Sequence, residues 1–245
     1  HEAYGTAYYK EKGQWKDAGS GFAALKAVYT DIENPFQTGS ARKAECVAYA
    51  GKGMSTAEWR PEIPERGEYA VYVSYKSLPE STTHAHYTVH HLGGRSEFAV
   101  NQKIGEGTWI YLGTFEFEKG SEGYVTLSNV APDGYGHVRG SIVTADAVRF
   151  GGGMGNIARK GSRSDEEAVV SGLPRSAEGA RYWLQWAGVS PEIFSQNDAD
   201  NDYRDDFMSR GDWVEWLSRG SAMNPDEKDR SEERRVGKEC LATCR

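Results

Sequence analysis

The sequence predicts a mainly β protein: an antiparallel β-sandwich of jelly-roll type, followed by a short α-helical segment of a neighbouring, incomplete domain. Between about Tyr69 and Phe150 apolar residues recur with a period of two, which is the pattern of half-buried strands. Short glycine-containing turns separate these runs, and no helical pattern lies between them. Beyond residue 174 the apolar residues recur at helical spacing instead.

The predicted strands follow one another along this part of the chain. The first carries Tyr69, Val71, Val73 and Tyr75 on one face. In the second, residues 84–92, apolar side chains alternate with polar ones, so one face is expected to be buried and the other polar. Further strands are predicted at 109–117, 124–128 and 142–150, and 46–49 and 57–59 are candidate edge strands.

Two helices are predicted near the C-terminal end, at 177–187 and 202–217. The residues expected to be buried in the first are Ala180, Trp183, Leu184 and Ala187. The residues expected to share one side of the second are Tyr203, Phe207, Val214 and Leu217. Four tryptophans lie in these helices, more aromatic surface than two helices of this size bury between them, so we expect them to need a partner domain.

Composition limits the classes of function. The chain has 245 residues, enough for one large domain or two small ones. Its formal net charge is −7, and an acidic surface repels phosphates, so nucleic acid is not an expected partner. No apolar run approaches the ~20 residues of a membrane span. The 7 Trp and 14 Tyr are typical of β-sheets and also of sugar-binding faces, which composition does not separate.

The last residues, 230–245, are left out of the functional argument. Their first eleven residues resemble the in-frame translation of a short-read sequencing adapter, an artefact and not a protein element. The segment carries five basic and three acidic residues, so the rest of the chain has a net charge of −9. Cys46 is then the one remaining cysteine, which rules out an internal disulfide and a CxxC metal site.

Three histidines, His84, His86 and His90, are expected on one face of the second strand. Histidines two residues apart in a strand can chelate zinc, but a third ligand is missing from the strand, and no metal site is predicted. A polar solvent-facing surface is the favoured interpretation. Ligand contact stays open as the alternative, because imidazoles both stack and form hydrogen bonds.

A loop at 132–140 is the second candidate ligand site. It places Tyr135, His137 and Arg139 among glycines at the expected tip of the sandwich. An aromatic ring with polar neighbours suits a pyranose, which presents an apolar C–H face surrounded by hydroxyls. An ordinary long hairpin loop remains the alternative interpretation.

Catalytic residues are not predicted. The sequence has neither a GxSxG nor an HExxH motif. The acidic stretch 198–209 begins like a calcium loop, but it has Tyr203 where the loop needs glycine and Ser209 where it needs glutamate. No second carboxylate can be placed opposite Glu116 or Glu118 for glycoside hydrolysis.

Two motifs carry a family resemblance. The strand Gly107-Thr-Trp-Ile-Tyr-Leu-Gly-Thr-Phe-Glu-Phe117, followed by Ala145-Asp-Ala-Val-Arg-Phe150, resembles the golvesin C-terminal-like module, also described as the carbohydrate-binding-like domain of xanthan lyases. The resemblance spans about 18–150. The flanks at 151–156 and 171–186 resemble Bacteroidetes proteins called xanthan lyase, in which this module interrupts an N-acetylmuramoyl-L-alanine amidase-like hydrolase.

The resemblance implies a non-catalytic carbohydrate- or cell-wall-binding module of a secreted or cell-envelope enzyme that acts on polysaccharide or peptidoglycan. The alternative is a structural part of a zinc-dependent amidase-like hydrolase, or of a xanthan lyase, with catalytic residues outside this chain. It implies no cofactor in this chain, although the parent protein would hold zinc in the amidase case. The expected organisation is the end of a preceding segment at 1–18, the golvesin-like domain at 19–150, a Gly/Ser-rich linker at 151–173, the helical part of an incomplete hydrolase-like domain at 174–229, and the artefact at 230–245.

Overall fold

The computed structural model describes residues 8–21, 24–25, 28–30, 36–37, 39–132, 135, 139–151, 158–160, 167, 178–187, 189–197 and 201–217. The chain divides into two compact units. The first comprises residues 1–25 and 36–152, and the second comprises residues 26–35 and 153–245. The expected artefact at 230–245 and most of the expected linker at 151–173 lie outside the described residues.

The first unit is built from antiparallel strands. The strands are β1 Tyr9–Lys12, β2 Lys16–Ser20, β3 Ala24–Leu25, β5 Phe36–Gln37, β6 Ser40–Glu45, β7 Thr56–Trp59, β8 Gly67–Ser74, β9 Ala85–His91, β10 Gly94–Val100, β11 Ile110–Phe117, β12 Tyr124–Ser128, β13 Ile142–Ala145 and β14 Ala147–Phe150. A five-stranded sheet has the order β1-β7-β12-β9-β10, and two three-stranded sheets have the orders β11-β8-β14 and β13-β6-β2. A short ladder joins β3 to β5. The predicted mainly β, antiparallel fold class is confirmed.

The core of this unit draws residues from all three larger sheets. On β9 the predicted alternation is present, since Ala85, Tyr87 and Val89 are fully buried while His86 and His90 are half-buried on the opposite face. Each large apolar side chain buried in this way stabilises the fold by roughly 1.5–3 kcal/mol. Other core members are Tyr9, Trp59, Val71, Val73, Tyr75, Phe117, Val125, Leu127 and Val143.

Three strand predictions need correction. Residues 57–59 lie in β7, an interior strand, because the charged segment β1 pairs with its outer side. Residues 46–49 form no strand, and Val47 makes only an isolated bridge to Val130. The single strand predicted at 142–150 breaks at Asp146 into β13 and β14, which belong to different sheets. Asp146 is buried at this corner and accepts a hydrogen bond from the Ser74 hydroxyl at 3.2 Å.

The second unit contains a parallel pair of short strands, β4 Val28–Thr30 and β15 Ala158–Lys160. It also contains the helices α1 Ala180–Trp186, α2 Pro191–Phe194 and α3 Asp202–Leu217. The two predicted helices are therefore present, and α2 is an additional short helix between them. None of the described helices combines the length and apolarity that a membrane span requires.

The side of α3 that carries Tyr203, Phe207 and Val214 faces solvent. Tyr203, Phe207 and Val214 are 83%, 45% and 53% exposed, whereas Asp205 and Ser209 are buried. The reason is a polar interior, in which the Asp205 carboxylate lies 3.9 Å from the buried Arg181 guanidinium. The side chain of Leu217 lies outside the described residues.

Three of the four helix tryptophans form a connected aromatic group. Trp186 is fully buried, and Trp213 stacks on Trp216 with ring centroids 5.1 Å apart. Trp183 meets the Trp213 ring edge-on at 6.4 Å. The helices thus enclose one tryptophan and group the others. The need of the helical segment for a partner domain stays a prediction.

Candidate functional site

Two of the predicted site residues, Tyr135 and His84, lie against each other. Their ring centroids are 4.2 Å apart and their planes are inclined by 34°. Tyr135 is 48% exposed, so its ring is available to a ligand. The His84 ring is held by a hydrogen bond of 2.8 Å between Nδ1 and the Thr83 hydroxyl. The pair forms an aromatic platform at the surface of the first unit, named here the Tyr135–His84 platform.

The segment that carries His84 is fixed to β13. The Thr82 backbone N–H donates to the Ile142 carbonyl at 2.8 Å. The Thr82 carbonyl in turn accepts from the Gln102 N–H at 3.0 Å. Finally, the His84 N–H donates to the Thr82 hydroxyl oxygen at 3.1 Å, so the backbone beneath the imidazole is held on both sides.

The loop that carries Tyr135 is anchored at both ends to the segment after β6. At its start, the Val47 N–H donates to the Asn129 carbonyl at 3.0 Å. At its end, the Cys46 N–H donates to the Ser141 carbonyl at 2.8 Å. The loop therefore leaves and re-enters the fold beside two consecutive residues, Cys46 and Val47.

Asn129 reinforces the base of this loop. Its side chain is buried, and its carboxamide oxygen accepts from the Ser55 N–H at 2.7 Å. Its Nδ2 donates to the carbonyls of Glu45 at 2.7 Å and of Gly53 at 3.0 Å. These three bonds join three separate segments, so the loop base is a rigid support for the platform.

The other predicted site residues are not brought to the platform as a group. Arg139 is exposed in the same loop, and His137 lies outside the described residues. His86 and His90 are on the outer face of β9, about 13 Å apart at the rise of an extended strand. His86 Nε2 lies 3.4 Å from the Glu97 carboxylate.

His90 belongs to a separate aromatic stack on the outer face of the five-stranded sheet. Its ring is nearly parallel to that of Tyr124, with centroids 4.0 Å apart and planes inclined by 12°. The Arg60 guanidinium lies 4.0 Å from the centroid of the Tyr124 ring, on the side of β7. Burial, and then the charge of Arg95, lower the pKa of His90 below its ordinary value. Because Tyr124 has a partner on either side, it offers a sugar no free ring face.

A cleft of about 430 Å³ is lined in part by residues of sheet β13-β6-β2, and no sequence prediction pointed to it. Lys43 on the central strand stands opposite Lys16 of β2 and Thr144 of β13. Glu45 stands opposite Ile142. No periodic signal could have found this cleft, because it depends on which strands pair. Its lining is Gln14, Lys16, Lys43, Ala44, Glu45, Val47, Gly53, Ser55, Glu80 and Ile142.

Metal-binding and nucleophilic chemistry find no support in the part of the chain that the structure describes. No group of three or more His, Cys, Asp or Glu side chains among the described residues could hold a metal ion. The half-buried Cys46 is a free thiol, and burial raises its pKa, although a hydrogen bond with Ser141 opposes the effect. A thiol with a raised pKa is a weaker nucleophile at neutral pH.

Comparison with known proteins finds a matching family model and a similar protein. Residues 37–152 match the family model of the Golvesin C-terminal domain. Xanthan lyase of Bacillus sp. (strain GL1) is 38% identical over 141 residues, which are 56% of this chain and 13% of that protein. The expected resemblance is therefore confirmed. The chain spans about an eighth of the length of this relative, whose 13% coverage leaves most of that enzyme without a counterpart here.

Solved structures give weaker likenesses. Paenibacillus xanthan lyase has a TM-score of 0.42 at 24% identity, covering 59% of this chain and 12% of that one. CBM35 from Cellvibrio japonicus Abf62 has a TM-score of 0.23 at 12% identity, covering 58% of this chain and 99% of that one. The expected Bacteroidetes origin and amidase link are not addressed by these matches and stay expectations.

Proposed function

We propose that this chain, whose residues 37–152 match the family model of the Golvesin C-terminal domain, is a non-catalytic polysaccharide-binding module of a larger polysaccharide-acting enzyme. The observation that carries the proposal is the Tyr135–His84 platform, an exposed aromatic pair on a loop anchored at both ends. The relative named xanthan lyase supports polysaccharide as the ligand class, with xanthan as the first polymer to test. Peptidoglycan is the second.

The chemistry of the platform suits a sugar ring. The apolar C–H face of a pyranose packs on the exposed Tyr135 ring, which excludes water from both surfaces. His84 packs against one face of the Tyr135 ring, so the exposed side of that ring takes the sugar, and the guanidinium of the exposed Arg139 in the same loop supplies donors for the sugar hydroxyls. The anchored base of the loop reduces the ordering that binding would otherwise require.

The proposed binding function has consequences for where the protein is located and for where catalysis takes place. A module that binds polysaccharide or cell wall works where the polymer is, so we place the protein outside the cell or in the cell envelope. We assign catalysis to other parts of the parent enzyme, in keeping with the lack of a candidate metal cluster among the described residues. The amidase-like alternative gains no support from the matched relatives.

Affinity gel electrophoresis of the purified chain tests the proposal, with xanthan or soluble peptidoglycan fragments in the gel. We expect xanthan to retard the chain. Tyr135→Ala should weaken binding about fivefold or more, which corresponds to about 1 kcal/mol of lost stacking. The melting temperature should stay nearly constant, because the Tyr135 side chain is exposed.

Tyr111→Ala is the matched control, because Tyr111 is similarly exposed, at 45%, but lies on β11. That strand belongs to sheet β11-β8-β14, which carries neither Tyr135 nor His84. It should bind xanthan like the unaltered chain. If Tyr135→Ala leaves the retardation unchanged, the binding site lies elsewhere on the chain. No retardation by either polymer, or measurable turnover of either by the purified chain, would overturn the proposed function.

A further inference from the structure

We infer that the cleft lined by Lys43 and its neighbours in sheet β13-β6-β2 is a second sugar subsite, which takes a carboxylate-bearing sugar unit on Lys43. This inference rests on the proposed function and deepens it by naming the substrate class, an acidic polysaccharide. The cleft volume of about 430 Å³ falls within the range of roughly 300–1,000 Å³ that is typical of small-molecule sites.

The two lysines of the cleft differ in their ion pairs. Lys16 Nζ lies 3.5 Å from the Glu45 carboxylate, and both side chains are largely exposed. Lys43, half-buried on the central strand, has no carboxylate within ion-pair distance among the described residues. The structure therefore leaves one ammonium group in the cleft available to a ligand anion. A sugar carboxylate is the anion that fits a polysaccharide ligand.

The rest of the lining suits the remainder of a sugar ring. Ile142 and Val47 offer apolar contact to its C–H face. The carboxylate of Glu80 accepts hydrogen bonds from sugar hydroxyls, and the carboxamide of Gln14 both donates and accepts them. Mixed donors and acceptors beside a small apolar area are the chemistry of a hydroxylated ligand with a single charge.

The cleft and the Tyr135–His84 platform are built from the same segments. Glu80, at the cleft, and His84, at the platform, are the two ends of one short stretch that is bonded to Ile142. Val47 lines the cleft and also anchors the loop that carries Tyr135. A linear polymer can therefore engage the platform with one sugar unit and the cleft with another.

The negative net charge of the chain makes Lys43 important for binding a polyanion. The chain carries a formal net charge of −7, which repels a polyanion at long range. Binding of an acidic polymer then requires a local cation in the site. Added salt should have opposing effects, because it screens both the long-range repulsion and the contact with Lys43. A chemical change of the polymer is therefore a clearer test than a salt series.

The test compares native xanthan with the same xanthan after its carboxyl groups have been reduced to alcohols, by affinity electrophoresis of the full chain. We expect the reduced polymer to bind at least fivefold more weakly than the native one. Lys43→Gln should lower affinity for native xanthan by a similar factor and leave affinity for the reduced polymer unchanged. Lys119→Gln makes the same charge change at an exposed lysine just after the end of β11, and it should have no effect.

The outcomes separate this inference from the proposed function. Equal binding of the two polymers by the unaltered chain overturns the inference, as does a Lys43→Gln variant with unchanged preference for the native polymer. If Tyr135→Ala has no effect while Lys43→Gln removes the preference, the subsite stands and the platform does not. If the chain binds neither polymer, both fail. The melting temperature of Lys43→Gln, expected to be unchanged, confirms that its effect is not unfolding.

Discussion

The carboxamide of Gln102 pairs with the backbone of Thr144 as a neighbouring β-strand would. Its Nε2 donates to the Thr144 carbonyl at 2.8 Å, and its Oε1 accepts from the Thr144 N–H at 2.8 Å. Nε2 also donates to the Tyr87 hydroxyl at 3.1 Å. All three residues are buried, so one side chain satisfies polar groups from two sheets in the interior. This pairing holds β13, the strand beneath the cleft, in place.

Gln102→Leu should destabilise the first unit by about 3 kcal/mol, because it leaves buried backbone groups of Thr144 without partners. Urea unfolding followed by tryptophan fluorescence measures the change. Lys103→Leu is the control, because the Lys103 side chain, next to Gln102 in the sequence, is exposed. This variant should change the free energy of unfolding by less than about 0.5 kcal/mol. Equal stability of the two variants would contradict the role assigned to Gln102.

Two ion pairs of different burial should contribute differently to stability. Arg42 binds Glu11 through two hydrogen bonds, at 2.9 and 3.1 Å, and the Glu11 side chain is only 6% exposed. Arg42→Ala leaves that carboxylate nearly buried without a counter-charge, with only the Tyr9 hydroxyl still shown to donate to it, and we expect a loss of about 3 kcal/mol in the free energy of unfolding. Lys16→Ala, which breaks the exposed pair with Glu45, should cost less than about 1 kcal/mol. Similar losses in the two variants, measured by urea unfolding, would refute the distinction.

His90 should make stability depend on pH. Its pKa is lowered by burial, and next by the charge of Arg95, so the unfolded chain binds the proton more readily than the folded one. The free energy of unfolding therefore falls as the pH is lowered below about 6.5, and this loss is absent above that pH. His90→Phe keeps a ring against Tyr124 and should flatten the dependence between about pH 7 and pH 5. An NMR titration that gives His90 an ordinary or raised pKa would contradict the expectation.

The helical unit should depend on Asp205. Its buried carboxylate accepts from the backbone N–H and the side-chain Nδ2 of Asn197, both at 2.9 Å, and lies close to Arg181. Asp205→Ala should destabilise this unit by about 3 kcal/mol, because it removes a buried carboxylate that lies 3.9 Å from the Arg181 guanidinium and accepts both hydrogen bonds from Asn197. Tyr203→Ala on the same helix should have little effect, since that side chain is 83% exposed. Circular dichroism at 222 nm during thermal unfolding compares the two; equal midpoints would rule out the proposed role.

Several features could be predicted from local periodicity alone. The buried face of β9 was identified because successive side chains of a strand point to opposite sides, whatever the strand pairs with. The helix α3 was placed at its observed bounds for a comparable reason, since helix-forming residues and their ends are local. Tyr135 was singled out by its glycine-rich loop, and the structure leaves its ring exposed.

Local periodicity therefore identified most of the strands, the helices α1 and α3, and the exposed loop that carries Tyr135. Tertiary contacts set three features that no local pattern contains: β7 is interior, the buried side of α3 is polar, and His84 meets Tyr135 whereas His90 meets Tyr124. The cleft at Lys43 likewise exists only because β2, β6 and β13 pair in one register. Periodicity reports how each segment divides between core and solvent, while strand partners, ion pairs and clefts depend on contacts between residues far apart in the chain.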